Sequence, residues 1–462
     1  MKDYELNFYR SMKLKNAKYL LTVDSGDWIA ISSKKFDLLK KNKIDQDIML
    51  FNILKDKYIV LTDENKDEYA DKLRLRYSHI FSTASLHIVA ITKRCNHDCL
   101  YCHANAKMSN DKKLDMDEKT AKKTVDFIFN SPNNNICIEF QGGEPLINFD
   151  IVKYIIKYAL KLNENYKKQL KFALVTNLTL MDEKKLKFLM KHKVGLCTSL
   201  DGPKIVHDKN RKFMDGMGTY NDVVKWIKII KEKYHYPLEA LMVTTANSLK
   251  YSKEIVDEYV NLGFDHIQFR PMLNLGVAKK NTELYVDSFQ YLKFWETSMD
   301  YLLKKNNDLK IVDRFTKYIL QKFFLSTGSS FVDLNSPCGG AISSLAYDHN
   351  GNIFTCDEGR QYDLFKLGTV DMKYSELFET SECQSFIKAS VNDCLLCDSC
   401  VWKPYCGVCP VCNYADTGNL IPCLSKNDRC KILKGQFEYL MNKIIEDKNN
   451  ELFLDWIKNN NR

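Results

Sequence analysis

From residue 86 onward the chain alternates short apolar runs with amphipathic helical stretches, and this alternation restricts the fold more than any other feature. The strand candidates are LHIVAI (86–91), ICIEF (136–140), KFALVT (171–176), VGLCTS (194–199), LEALMVT (238–244) and HIQFR (266–270). Helical patterns fall at 116–130, 148–163, 182–191, 219–233 and 249–262, with a longer stretch near 285–305. Strands separated by helices of this length make parallel β/α units. Six strands are two short of the closed eight-stranded barrel. The expected class is therefore α/β, an open, partial (β/α)6 TIM-like barrel. In such folds the chemistry gathers at the C-terminal ends of the strands.

Those ends carry polar or glycine-rich segments. CNHDCLYC (95–102) follows the first strand and QGGEP (141–145) the second. Thr176 and Asn177 end the third, SLDGP (199–203) the fourth and FRPM (269–272) the sixth. The expected organisation is a small α+β unit over 1–85, the barrel over 86–305, a bridge over 306–337 with a loop at STGSS (326–330), a cysteine-dense module over 338–430, and C-terminal helices over 431–462. In the first unit KYLLTV and DWIAIS flank a turn at Ser25 and Gly26, and helix and strand patterns follow. The whole resembles a winged helix, with a linker helix between Asp63 and Arg76.

Hydrophobic content of 45% and charged content of 27% are those of a globular chain. No run approaches the ~20 apolar residues of a membrane helix. The opening MKDYELNFYRSMK lacks a secretory signature, so a cytoplasmic setting is expected. The net charge of +9 comes without an aromatic-interleaved basic stripe, which argues against nucleic acid as a partner. Such a charge would instead favour an acidic peptide.

Cysteine is the informative residue. Of sixteen, three lie at Cys95, Cys99 and Cys102, and eleven lie between Cys338 and Cys430. Cys137 and Cys197 stand apart on strands, where packing is the expectation. In a reducing compartment such clustering points to metal rather than disulfides. Three thiolates in eight residues suit a four-iron cluster with one iron left without a protein ligand. An open coordination position is how a metal site admits substrate. Zinc sites favour paired CxxC elements, and no second pair lies near the loop.

CxxxCxYC after the first barrel strand resembles the signature of the radical SAM superfamily, and the likeness extends over roughly residues 86–300. It implies a 4Fe–4S cluster whose open iron is chelated by S-adenosylmethionine, giving a 5′-deoxyadenosyl radical that abstracts hydrogen. It also implies roles at the strand ends. Gly142 and Gly143 would let backbone approach the methionine amino group, with Gln141 and Glu144 beside them. Thr176 and Asn177 would border the cofactor. Ser199 resembles a ribose or carboxylate contact, and Arg211 resembles the arginine that pairs with the carboxylate. Tyr101 would lie against the adenine.

The C-terminal spacing is C-x12-G-x4-C from Cys338 to Cys356, then C-x2-C-x5-C through Cys397, Cys400 and Cys406, then Cys409, Cys412 and Cys430. It resembles the SPASM extension of peptide- and protein-modifying radical SAM enzymes, which implies two auxiliary 4Fe–4S clusters. Cys397, Cys400, Cys406 and Cys430 would hold the second. Cys338 and Cys356 would contribute to the first, together with Cys409 or Cys412. That cluster either keeps an open iron or is completed by Cys394, Cys412 or Cys423. Asp357 stands where sulfatase-maturing members keep a proton acceptor. A set of zinc ribbons is the alternative for the module.

The block WKPYCGVCPVCNYADTGN (402–419) most resembles the maturases of His-Xaa-Ser peptide systems. The implied activity is modification of a ribosomally made precursor peptide by crosslink, thioether, epimerisation or oxidation. Its partners would be that peptide and an electron donor such as flavodoxin or ferredoxin. The alternatives are a protein maturase of the anaerobic sulfatase type and, in another class, a zinc-stapled binding protein. Residues 1–85 are either a peptide-recognition element that adds a strand at a sheet edge or a cap on the barrel.

Overall fold

The computed structural model describes residues 4–458 apart from 16, 107–108, 307–310, 326–330, 422–426 and 447–448. The STGSS segment and Cys423 lie outside the described residues.

In the first unit β1 (Glu5–Leu6) pairs antiparallel with β5 (Val60–Leu61). β2 (Arg10–Lys13), β3 (Lys18–Thr22) and β4 (Trp28–Ser32) form an antiparallel sheet. Successive side chains on a strand face opposite ways. Leu21 of β3 turns into a small core with Phe36, Leu54 and Val60, while Leu20 turns into the main core of the molecule. Helices Ser33–Lys40 and Ile48–Asp56 begin at Ser32 and Asp47, whose side chains accept from the third residue's N–H. The hairpin and helices match the sequence pattern, but β1 and β2 were not visible in it.

Polar contacts tie this unit to later parts of the chain. Arg10 Nε donates to the Asp398 carbonyl at 2.7 Å and Thr22 Oγ1 to the Val401 carbonyl at 2.9 Å. Tyr405 donates to the Gly26 carbonyl at 3.0 Å, and Trp28 Nε1 to the Phe323 carbonyl at 2.8 Å.

The barrel strands are β6 (Leu86–Ala90), β7 (Asn135–Gln141), β8 (Gln169–Thr176), β9 (Gly195–Ser199), β10 (Leu238–Thr244) and β12 (Phe269–Pro271). All six are parallel and adjacent in chain order. The expected HIQFR strand splits at Gln268. β11 (His266–Ile267) leaves to pair with β13 (Val312–Asp313) in a separate two-strand sheet. Alternation along the strands sets the layers. Ile136, Ile138 and Phe140 of β7 are buried in the core shared with Val125 and Ile155 of the outer helices. Cys137, Glu139 and Gln141 point the other way and are only half-buried. Cys197 and Ser199 of β9 follow the same rule. The two cysteines expected to be packed in the core therefore lie on the inward face.

The cysteine-rich segment begins by extending the barrel sheet. β14 (Ser344–Tyr347) adds parallel to β6, with Leu86 opposite Ser344 and Val89 opposite Tyr347. β15 (Asn352–Phe354) and β16 (Lys366–Thr369) continue antiparallel, which completes a nine-stranded sheet. Among the described residues no helix is long and apolar enough to cross a membrane.

Candidate active site

The thiols Cys95, Cys99 and Cys102 sit on the loop that leaves β6, and neighbouring strand ends hold that loop. Gly143 N donates to the Thr92 carbonyl and Glu144 N to the Arg94 carbonyl, each at 2.8 Å. A Cβ on Gly142 would stand 2.3 Å from the Thr92 oxygen, and Gly142 has φ +135. The glycine pair expected to admit a ligand is therefore first needed to admit the chain's own backbone. The far side is clamped by a turn that sequence reasoning did not single out. A Cβ on Gly276 would meet the Cys102 and His103 carbonyls at 2.5 Å. Val277 N donates to the Cys102 carbonyl, and Asn281 Nδ2 to the Leu100 carbonyl.

Glu144 is buried and spends its carboxylate on the scaffold. Oε1 accepts from Thr176 Oγ1 at 2.7 Å and from Leu146 N at 3.0 Å, and Oε2 accepts from Asn177 N at 2.7 Å. Burial pushes its carboxyl up to about 7, against the pull of those donors. Gln141 donates to Glu139 Oε1 at 2.5 Å. What Glu144 presents toward the loop is its main chain, while its side chain fixes the end of β8.

Donors from several elements converge on the sulfurs. His97 N lies 3.4 Å from Cys95 Sγ, Asn177 Nδ2 4.0 Å from the same atom, and Arg211 Nη1 3.8 Å from Cys99 Sγ. Asn177 also donates to Asn96 Oδ1 at 2.9 Å. Burial pushes the Cys99 thiol up to about 12, with Arg211 opposing and Cys102 and Asp201 adding. Arg211 is bracketed by a residue the sequence reading quoted but did not single out. Asp201 lies 3.3 Å from Arg211 Nε and accepts the Tyr101 hydroxyl at 2.6 and 2.8 Å. The guanidinium lies 5.1 Å from the Tyr101 ring centroid, and its Nε is buried without a hydrogen-bond partner. Tyr101 packs with Met272, Ala278 and Leu284 and is only 7% exposed, which leaves little ring surface for an adenine. Ser199 ends β9, half-buried.

The later cysteines fall into two groups. Cys338, Cys356, Cys409 and Cys412 all line one cavity that opens to solvent, with Arg270, Glu358 and Arg429. Cys409 and Cys412 thus face the same cavity as Cys338 and Cys356, which offers it four thiols. The cause is local. Cys409 is the N-cap of helix Pro410–Thr417 and accepts from Cys412 N at 3.4 Å, so both sulfurs lie on one side of the helix start. Gly340 N and Gly359 N donate to Cys338 and Cys356 Sγ, each at 3.4 Å. In the second group Cys397 is influenced by Cys394, Cys406 and Cys400, and Cys430 by Cys400 and Cys394.

Asp357 is buried between Arg360 and His103. Arg360 Nε donates to Oδ1 at 3.0 Å, and His103 Nε2 lies 2.9 Å from Oδ2. Burial alone would lift its carboxyl. The Arg360 guanidinium and His103 outweigh that and hold it well below the usual carboxylate range. Sequence reasoning missed His103, whose only signal was its place directly after Cys102.

The donor sets fit iron–sulfur clusters. Among the described residues no three His, Cys, Asp or Glu side chains close on one point as they would around a single ion. Cys338, Cys356, Cys409 and Cys412 instead border an open cavity. Cys95, Cys99, Cys338, Cys356 and Cys409 receive N–H donors, and hydrogen bonds to sulfur are a means by which proteins tune such clusters.

A parallel partial barrel with three thiols at its first strand end defines a class. The chain has the radical SAM α/β fold, and residues 89–245 match the model of the Radical SAM superfamily. Among curated proteins it is similar to the cysteine-type anaerobic sulfatase-maturating enzyme of Clostridium perfringens, 29% identical over 375 residues, covering 79% of this chain and 98% of that one. Among solved structures, native anSMEcpe with bound AdoMet and Cp18Cys peptide matches with TM-score 0.70 and 27% identity, over 80% of this chain and 99% of that one. Streptococcus suis SuiB bound to precursor peptide SuiA matches with TM-score 0.54 over 91% of this chain and 98% of that one. At 15% identity SuiB speaks to the fold alone.

Proposed function

We propose that this chain is a radical SAM enzyme of the SPASM type that takes hydrogen from a residue of a peptide substrate. The reading is carried by the convergence of Arg211, Asn177 and His97 N–H donors on Cys95 and Cys99. In this reading Cys95, Cys99 and Cys102 hold three irons of a 4Fe–4S cluster. Arg211 and Ser199 receive the carboxylate of S-adenosylmethionine, and main chain at Gly142–Glu144 receives its amino group. Cys338, Cys356, Cys409 and Cys412 hold a first auxiliary cluster, and the 397–430 set holds a second. When bound, these groups supply one-electron chemistry and a hydrogen-abstracting radical. The protein's part is placement. Asp201 orients Arg211 from below, Glu144 fixes the ends of β7 and β8, and the cavity beside the four thiols admits a side chain.

Two finer readings remain. A precursor peptide, in the manner of the His-Xaa-Ser maturases, is supported by the 402–419 block and by the N-terminal sheet. A sulfatase-type protein segment is supported by similarity along almost the full length of the Clostridium relative, with Asp357 following Cys356. In either, electrons come from a flavodoxin or ferredoxin.

Anaerobic, reconstituted protein should release 5′-deoxyadenosine with S-adenosylmethionine and reductant, and a Cys95/Cys99/Cys102 triple alanine variant should not. Release that persists in the variant contradicts the reading. Coexpression with a neighbouring short peptide, against incubation with a sulfatase-derived peptide carrying Cys or Ser, separates the finer readings by product mass. Asp357→Asn with full turnover would remove any proton-accepting role for Asp357, whose resting partners Arg360 and His103 make it a weak base.

A further inference from the structure

Among the described residues the second C-terminal group has one thiol more than a four-iron cluster uses. Cys397 is an electrostatic neighbour of Cys394, Cys400 and Cys406, Cys406 of Cys400 and Cys430, and Cys430 of Cys394 and Cys400. Each iron of such a cluster takes one thiolate, so four suffice. Two of the five coincide, since the Cys394 and Cys397 sulfurs are 3.2 Å apart. Too close together to bind two different irons, they point to the same corner of any bound cluster. The local fold explains this. Cys394 is the N-cap and Cys397 the third residue of the turn Leu395–Asp398, and N-cap and third-residue side chains share a side. The Cys397 N–H donates to the Cys394 carbonyl at 2.8 Å, which closes the turn. The same relation places Cys409 beside Cys412, but there both thiols are needed to reach four. Cys394 and Cys397 are both partly exposed, so either can be reached by solvent.

We infer that Cys394 and Cys397 share one ligand position of the second auxiliary cluster, either one holding the iron in the absence of the other. The inference rests on the SPASM reading. Exchange between them transfers no electrons. The incoming thiol loses its proton as its sulfur–iron bond forms, and the outgoing thiolate takes one up as its own bond breaks.

The test counts iron and sulfide in anaerobically reconstituted Cys394→Ala, Cys397→Ala and the double variant. Unmutated protein should hold about twelve irons in three clusters. Each single variant should keep that number, and the double variant should lose about four. If Cys397→Ala alone loses about four irons while Cys394→Ala keeps all, Cys394 is a bystander and the inference fails while the SPASM reading stands. If the unmutated protein binds no iron, both fail. A second measurement needs no variant. Iodoacetamide treatment of the loaded protein, followed by peptide mapping, should place one label on residues 394–397 of each chain, divided between the two cysteines. A label on Cys394 alone overturns sharing.

Discussion

The loop with Cys95, Cys99 and Cys102 and the segment from Cys394 to Cys430 hold their thiols by opposite means. The first is locked by the sheet itself. Gly142, Gly143, Glu144 and Asn177 come from two adjacent strand ends, and the turn at Gly276 closes the other side. The second rests on no barrel strand. Its support is a set of short helical turns, the long helix Asp428–Ile445 that carries Cys430, and the N-terminal hairpin, through Arg10, Thr22 and Gly26. The first site is tied to the barrel sheet. The second leans on a distant part of the chain, and the binding energy of a metal group would also organise it.

The sharpest way to break this comparison is Gly142→Ala. The new Cβ would sit 2.3 Å from the Thr92 oxygen on a backbone with φ +135. Overpacking and left-handed strain together should cost roughly 2–5 kcal/mol. The expected outcome is a lower Tm and loss of the core cluster's iron with the C-terminal iron kept. Unchanged iron and a Tm within about 2 °C of the parent would show that the loop is not held by this contact.

Arg10→Met tests the other half. Arg10 donates to Asp24 Oδ1 and to the Asp398 carbonyl, both at 2.7 Å. Removing two such bonds should cost about 1–3 kcal/mol. Hydrogen exchange should quicken over 398–406, and a chelator should strip the second auxiliary cluster faster, with the core loop unchanged. Equal effects at both sites would erase the distinction.

The two regions also differ in how far they could be read in advance. The six barrel strands announced themselves as apolar runs, and β10 ends where LEALMVT ends. The strand-end motifs followed from one rule about parallel sheets. What could not be read was contact between residues far apart in sequence. β14 pairs with β6 across more than 250 residues, and the Arg10 and Thr22 bonds end on main-chain carbonyls, which carry no residue signature. That Cys409 and Cys412 share a side was legible only once helix Pro410–Thr417 was seen to begin between them. Asp201 was hidden inside a quoted motif and His103 directly after one, because each acts through a partner, Arg211 or Asp357, rather than by its own type.

The smallest expected effect probes how the sheet holds the core loop. Glu144 joins the ends of β7 and β8 through three donors. Glu144→Gln replaces one acceptor oxygen with an NH2 that must face Leu146 N and Thr176 or else Asn177 N, and a donor facing a donor leaves a buried group unpaired, at about 1–2 kcal/mol. The pH dependence has a definite sign. The folded carboxyl titrates near 7, above its ordinary range, so the folded chain binds this proton more tightly than the unfolded one. The stability it contributes is therefore complete at acid pH and lost as pH rises through about 7. Denaturant unfolding at pH 5 and pH 8 should show the parent losing more stability over that interval than Glu144→Gln. Parallel pH profiles would mean that Glu144 is ionised throughout, and that the strand ends are held by a charge instead of a neutral acid.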